Sequence, residues 1–167
     1  YFHNDPLSMK GSKSVNERLK ILENVEKVIF VSEWVRERFF LDLDKKLSTK
    51  TEVIYPSVNR QFSIKKEKII TFVGRLNHSK GYDIFSKTII KILNEFPKWK
   101  ALSIGDEDRR TIYINHKQHK ELGFLNHKKT LNILNQSEIA VAPSRWDEPF
   151  GRTSLEAASR GCATIIS

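Results

Sequence analysis

Hydrophobic positions in this 167-residue chain follow two alternating spacings. Short continuous apolar runs of strand length give way to stretches in which apolar residues recur every three or four positions. Ser14 to Glu26 predicts a helix with Val15, Leu19, Leu22 and Val25 on one stripe, and Val28-Ile29-Phe30-Val31 predicts a buried strand. Ser32 is placed to cap a helix from Glu33 to about Leu41, with Trp34, Val35 and Phe39 facing inward. Val53-Ile54-Tyr55 predicts another short strand, stopped by Pro56. The polar, irregular stretch PSVNRQFSIKKEK then breaks the pattern and is the best linker in the chain.

Beyond it the rhythm is regular. A strand is expected from Ile69 to Val73, ending at Gly74, then a helix from Asp83 to Phe96, closed by Pro97. Trp99 to Ile104 predicts a strand that ends at Gly105-Asp106, and Ile112 to Ile114 a further one, before a short apolar group from Leu122 to Leu125. Asn126 is placed to cap a helix from about Lys128 to Gln136, with Leu131 and Leu134 inward. Ile139 to Ala142 predicts a strand, Pro143 to Gly151 a loop, Thr153 to Arg160 a helix ended by Gly161, and Ala163 to Ile166 a last strand. No internal repeat is visible. Strands alternating with helices imply right-handed crossovers and an α/β fold, a parallel sheet covered by helices on both faces. Ligands of such sheets bind where strands end at their carboxyl edge, so the loops from Gly74, Gly105 and Pro143 are where chemistry is expected.

Composition narrows the class. Hydrophobic residues at 39% and charged residues at 29% fit a folded globular protein. The lone Cys162 has no internal partner for a disulfide. No apolar run approaches the roughly 18 residues a membrane-spanning helix needs. The opening YFHNDPLSMKGSK lacks the pattern of a signal peptide and does not begin with Met; the chain is expected to be a piece of a longer protein. The net charge of +9 is shared about evenly between residues 1–66 and 67–167, without a block of like charges or a reader motif. That disfavours nucleic acid as a partner. An anionic membrane surface, a phosphate-bearing ligand and plain solubility remain.

Two loops carry the candidate chemistry. GRLNHSKGYDIF leaves a strand through Gly74 and sets Arg75 and Lys80 near a helix start, where backbone amides already favour anions. Two cations there suit a diphosphate; the alternative is a tight turn with two solvated basic residues. Neither GxGxxG nor GxxxxGK[ST] is present. SRWDEPFGRTSLEAASRG, the more informative loop, places Glu148 and Glu156 on either side of a strand-to-helix turn. The amides of Gly151, Arg152, Thr153 and Ser154 open the next helix and form an anion site. Glu156 is open to two readings: acceptor for sugar hydroxyls, or partner of the Thr153 amide in a capping box. Glu148 has no such local excuse and points to ligand binding. Trp146 and Phe150 either line a pocket or pack the loop down. Asp106-Glu107-Asp108 reads as a solvated turn, and His116 with His119 as a surface pair rather than a zinc site.

Together these residues resemble the retaining nucleotide-sugar glycosyltransferases of family 4, which have the GT-B fold. The resemblance rests on Glu148-PFGRTSL-Glu156 followed by AASRGCATIIS, and on FVGRLNHSKGYDIF, SIGDE, ELGFL and LNILNQSEIAVAPSRWDEPFG. VSEWVRERF and VIYPSVN look like the end of the family's first domain and the crossing into its second. The resemblance implies two Rossmann-like domains: residues 1–56 as the tail of the acceptor-side domain, 57–66 as linker, and 67–167 as an incomplete nucleotide-sugar-binding domain. By the same resemblance Gly74 opens the donor loop, while Arg75 and Lys80 pair with the donor diphosphate. Phe150, Gly151, Arg152 and Thr153 offer amides to sugar and phosphates, Glu156 holds the ribose and Glu148 the transferred hexose. His3 matches a first-domain histidine near the donor sugar, although the adjacent Asp5 fits a local turn cap.

The resemblance further implies a nucleoside diphosphate sugar as donor, a saccharide or lipid-linked acceptor, no metal, and no other cofactor. A cytoplasmic position is expected, peripheral on the inner face of a membrane. Alternatives are a non-catalytic nucleotide-sugar-binding module and a GT-B sugar-nucleotide epimerase.

Overall fold

The computed structural model describes residues 1–61, 65–108 and 111–167. The chain divides into two compact units, Tyr1–Ser57 with Glu148–Phe150, and Val58–Asp147 with Gly151–Ser167.

The first unit contains helices α1 (Val15–Asn24) and α2 (Glu33–Phe39) and parallel strands β1 (Val28–Phe30) and β2 (Thr51–Val53). β2 begins two residues earlier than the apolar run suggests. Ile54 and Tyr55 lie exposed, although the Ile54 amide still reaches the Phe30 carbonyl. Ser14 and Glu17 close a reciprocal capping box at α1, and Ser32 caps α2 through the Val35 amide. The stripe expected on α1 is corrected: Leu22 is buried and Val25 exposed, while the second buried side chain is Arg18. Its Nη1 and Nη2 donate to the carbonyls of Ser12, Lys13 and Leu41, so a charge enters the core with acceptors in place for its two terminal nitrogens, while the buried Nε has no partner among the described residues. The apolar core joins Leu22, Val28, Phe30, Val35 and Phe39, with Phe2 and Phe150 packed against it. Asp5 caps a short 3-10 turn and takes a two-pronged contact from Arg38.

The second unit is a five-stranded parallel sheet in the order β5-β4-β3-β6-β7. Its strands are β3 (Glu67–Val73), β4 (Lys100–Ile104), β5 (His119–Glu121), β6 (Ser137–Ala142) and β7 (Ala163–Ile166). Helices α3 (Tyr82–Glu95), α4 (His127–Gln136) and α5 (Arg152–Ser159) cross between strands. The α/β class expected from the pattern is therefore the one observed. Residues of β3 alternate between faces. Ile70 and Phe72 join Tyr82, Phe85, Ile89 and Leu93 of α3 in one core, while Val73 packs with Leu134 of α4 and Ala157 of α5 in another. The chain starts in the middle of the sheet, winds outward to β5, and returns to the other side through β6. The order reverses between β3 and β6, which is where such sheets open a crevice at their carboxyl edge.

Ile112 to Ile114 form no strand. Both isoleucines pack as partly buried residues against the core of β3 and α3, and the edge strand is His119–Glu121 instead. Among the described residues it pairs with β4 alone, through backbone groups that need no apolar side chains. Of the expected linker 57–66, residues 62–64 lie outside the described residues. Gln61 meets α5 through the Ser159 carbonyl, and Lys66 donates to the carbonyls of Leu134, Asn135 and Arg160.

Candidate functional site

Within the second unit, three strand ends converge at one edge. Gly74 follows β3 directly, and its amide donates to the Ile104 carbonyl at the end of β4. Gly105 has φ +139°, and a Cβ there would lie 1.9 Å from the Gly74 carbonyl oxygen. Gly81 has φ +69°, and a Cβ there would lie 1.7 Å from the Pro143 carbonyl oxygen, at the start of the loop after β6. Only glycine permits both approaches. The loops after β3, β4 and β6 are thus seated against one another at backbone distance.

On this edge Arg75 is exposed and Lys80 partly buried. The Lys80 ammonium sits 4.9 Å from the centre of the Trp146 ring, a cation–π contact. α3 starts at Tyr82, with Gly81 as a left-handed N-cap that makes no side-chain bond, so Lys80 stands just ahead of a helix start. Asn77 is held by its side-chain amide donating to Glu107 at 2.7 Å, while its Oδ1 accepts from the Lys80 amide. The Asp106-Glu107-Asp108 turn is therefore engaged with this loop rather than merely solvated.

Opposite, α5 opens after Gly151, which is left-handed and likewise makes no side-chain cap. Thr153 lies inside the first turn of the helix, so no capping box joins it to Glu156; that reading is corrected. Glu156 is 8% exposed. Its Oε1 faces His127 Nε2 at 3.2 Å and accepts from Arg152 at 3.3 Å. Among the described residues Oε2 takes no hydrogen bond. A nearly buried carboxylate with one oxygen engaged and the other open is arranged to receive donors from outside the chain.

Glu148 and Phe150 fall in the first unit. Glu148 is exposed, and Phe150 packs against the first unit's core with its ring 6.0 Å from that of Tyr55. Pro149 is fixed there by its carbonyl, which accepts from Ser32 Oγ at 2.6 Å. His3, also in the first unit, is exposed and lies 4.2 Å from the Tyr1 ring. The structure thus gathers Gly74, Arg75, Lys80, Gly151, Arg152, Thr153 and Glu156 in one unit, and His3, Glu148 and Phe150 in the other.

Three groups at this edge escape local reading. His127 is one partner of Glu156. The second and third are Asp83 and Arg145, joined by a two-pronged ion pair in which Arg145 donates to Asp83 Oδ2 at 2.7 Å and also meets Oδ1. The Arg145 contact holds the Asp83 carboxyl down at about 2, and the same pairing raises Arg145 above its ordinary value. An acidic residue at the first turn of a helix is the one signal the sequence offers for Asp83. His116 and His119 are both half-buried rather than a surface pair: His119 Nε2 meets Ser103 Oγ at 2.8 Å, which Tyr82 also contacts, and His116 Nε2 meets Asn94 Oδ1 at 3.2 Å. Among the described residues no group of three or more His, Cys, Asp and Glu is placed to hold a metal ion. No helix among them is long and apolar enough to cross a membrane.

Comparison with known proteins agrees with this architecture. The chain is 27% identical over 154 residues to an uncharacterized 42.6 kDa protein in the cps region of Klebsiella pneumoniae, covering 89% of this chain and 40% of that protein. It is 34% identical over 108 residues to an uncharacterized glycosyltransferase of Methanocaldococcus jannaschii, covering 60% of this chain and 27% of that one. The crystal structure of Anabaena HepE in complex with UDP-glucose is similar with a TM-score of 0.73 at 17% identity, over 98% of this chain and 51% of that chain. The fold is that of the GT-B glycosyltransferases. The chain thus spans at most about half the length of these proteins. Residues 57–167 match the family described as "Glycosyl transferases group 1", and the chain belongs to that family.

Proposed function

We propose that this chain carries the donor side of a retaining hexosyltransferase of the family 4 type. The hexose moves from a nucleoside diphosphate sugar to a saccharide or lipid-linked acceptor. In this reading residues 1–56 are the tail of an acceptor-side domain, 57–66 the linker and 67–167 the donor domain. The observation that carries it is Glu156, nearly buried at the carboxyl edge with Oε2 open, on the same edge as Arg75, Lys80 and the amides that start α5. One carboxylate for vicinal hydroxyls, two cations and a helix start together complement a nucleotide sugar. HepE, which shares the fold, has been crystallised with UDP-glucose, and this supports the donor class.

As the bond between the sugar and the diphosphate breaks, negative charge grows on the leaving nucleotide. Arg75 and Lys80 stabilise that charge, and the amides of Phe150, Gly151, Arg152 and Thr153 share it. Glu156 takes the ribose hydroxyls and Glu148 the hexose; His3 is assigned to the neighbourhood of the donor sugar by the family resemblance. No metal and no further cofactor enter this scheme, because fixed cations and amides occupy the role a divalent ion has elsewhere.

Isothermal titration of the full-length protein with UDP-glucose, with and without EDTA, tests the reading. Binding and transfer are expected to persist in EDTA, and Lys80→Ala and Glu156→Ala to weaken binding by roughly tenfold or more. Unchanged binding and transfer in both variants and in Glu148→Ala rejects the site. Conversion of the donor with no acceptor present points to epimerisation, and binding without any turnover to a binding module.

A further inference from the structure

Lys80 is a long, flexible side chain, and a point charge stabilises a diphosphate only where it is held in place. What holds it here is a chain of contacts between the loop after β3 and the loop after β6. The Lys80 ammonium rests over the Trp146 ring at 4.9 Å. Trp146 follows Arg145, whose amide donates to the Ser79 carbonyl at 2.9 Å and whose guanidinium reaches the His78 carbonyl at 3.2 Å. The same guanidinium grips Asp83 with both prongs, one of them at 2.7 Å. Asp83 is 8% exposed and anchored in the first turn of α3. His78 Nδ1 stands 3.5 Å from Asp83 Oδ1. Backbone and side chain of Arg145 thus both fasten to residues 78–83, on either side of Lys80.

We propose that Asp83 and Arg145 are a positioning pair for the donor diphosphate: the ion pair locks Trp146 beneath Lys80 and fixes the ammonium ahead of α3. The inference rests on the donor reading above and deepens it. Neither residue needs to touch the ligand. A guanidinium with both prongs on one carboxylate has a single orientation, and together with the Arg145 amide bond to Ser79 it holds the loop backbone that carries the indole. With the pair broken, Asp83 no longer fixes the Arg145 guanidinium, and the loop that carries Trp146 loses its charged anchor on α3.

The test is a double-mutant cycle on UDP affinity, measured by calorimetry on the full-length protein. Arg145→Met and Asp83→Asn are expected to weaken UDP binding by roughly tenfold. In a Lys80→Met background the same Arg145→Met change is expected to have an effect within about twofold, because the residue it positions is already gone. Arg145→Lys keeps the charge and loses the fork, and is expected to fall between wild type and Arg145→Met. Circular dichroism on each variant separates a lost fold from a lost position, and Arg145→Lys carries the test where Arg145→Met does not fold. The inference is overturned when Arg145→Lys and Arg145→Met bind UDP like the unsubstituted protein, or when the Arg145→Met loss is undiminished in the Lys80→Met background. Absence of UDP binding by the unsubstituted protein overturns the donor reading instead, and this inference with it.

Discussion

Asp83 shows how much one residue can depend on a partner far away in sequence. Its carboxyl is lowered from an ordinary value of 3.8 to about 2, chiefly by the hydrogen-bonded Arg145 guanidinium and against the opposing effect of burial. A carboxyl whose folded value is depressed binds fewer protons folded than unfolded, so stability rises with pH across the interval between the two values. The contribution is complete above about pH 4 and is lost as pH falls toward about 2. Asp83→Asn is therefore expected to flatten the urea midpoint against pH between about 2 and 4, with little change of slope above that interval. An unaltered profile in the variant would mean that the pairing is not maintained in solution. None of this was legible in the sequence, since the two partners are 62 positions apart and both look like ordinary surface charges. Arg18 is a similar case, since a basic residue on a predicted helix gives no hint that three carbonyls wait for it in the core. Lys80 and Glu156 are different, because a glycine after a strand and a carboxylate past a strand-to-helix turn mark positions that topology sends to the ligand edge.

Elements were legible in proportion to how much apolar surface they bury. β3 and β6, central in the sheet, read as apolar runs, and α3 displays Phe85, Ile89 and Leu93 at helical spacing. β5, with the sequence His-Lys-Glu, did not, because an edge strand is held by its ladder to one neighbour. Helix ends were legible where a side chain caps them, as Ser32 and Asn126 do. Where a glycine supplies the N-cap, at α3 and α5, the helix starts one residue earlier than the pattern predicts, and a remote cap leaves no local signal even where the end itself, Gln136 of α4, is read correctly. Lys66 is such a remote cap: its ammonium donates to Leu134 and Asn135 near the end of α4 and to Arg160 at the end of α5, at 3.2, 3.0 and 2.5 Å. A cation there adds a charged donor to carbonyls at the two helix ends, that of Leu134 also accepting from the Ser137 amide and the Cys162 thiol, and opposes the negative end of two dipoles. Lys66→Met keeps most of the apolar stem and removes only the charge. It is expected to destabilise the protein by about 2 kcal/mol in urea unfolding. A change under about 0.5 kcal/mol would show that water serves these carbonyls equally well.

For the molecule as a whole, the strongest remaining signal is charge. The excess of +9 falls in the second unit, where 19 Lys and Arg face 10 Asp and Glu, while the first unit balances 10 against 10; it forms no block of like charges along the chain, so charge alone points to no specific anionic partner. A peripheral position on an anionic membrane, proposed here because it would bring a lipid-linked acceptor within reach, makes a demand that such a surface can meet only in part. Each Lys or Arg near an anionic leaflet contributes about 1 kcal/mol, and that contribution fades within a Debye length of roughly 8 Å at physiological salt. A dispersed charge brings only the residues on one side of the molecule into range. Binding should therefore be weak, non-specific and strongly dependent on salt. Co-sedimentation of the full-length protein with phosphatidylglycerol vesicles is expected to be evident at about 20 mM salt and abolished by about 500 mM. Neutral phosphatidylcholine vesicles are expected to bind none. Binding that survives high salt would call for an apolar anchor, and the absence of binding at low salt would leave a freely diffusing saccharide as the better acceptor.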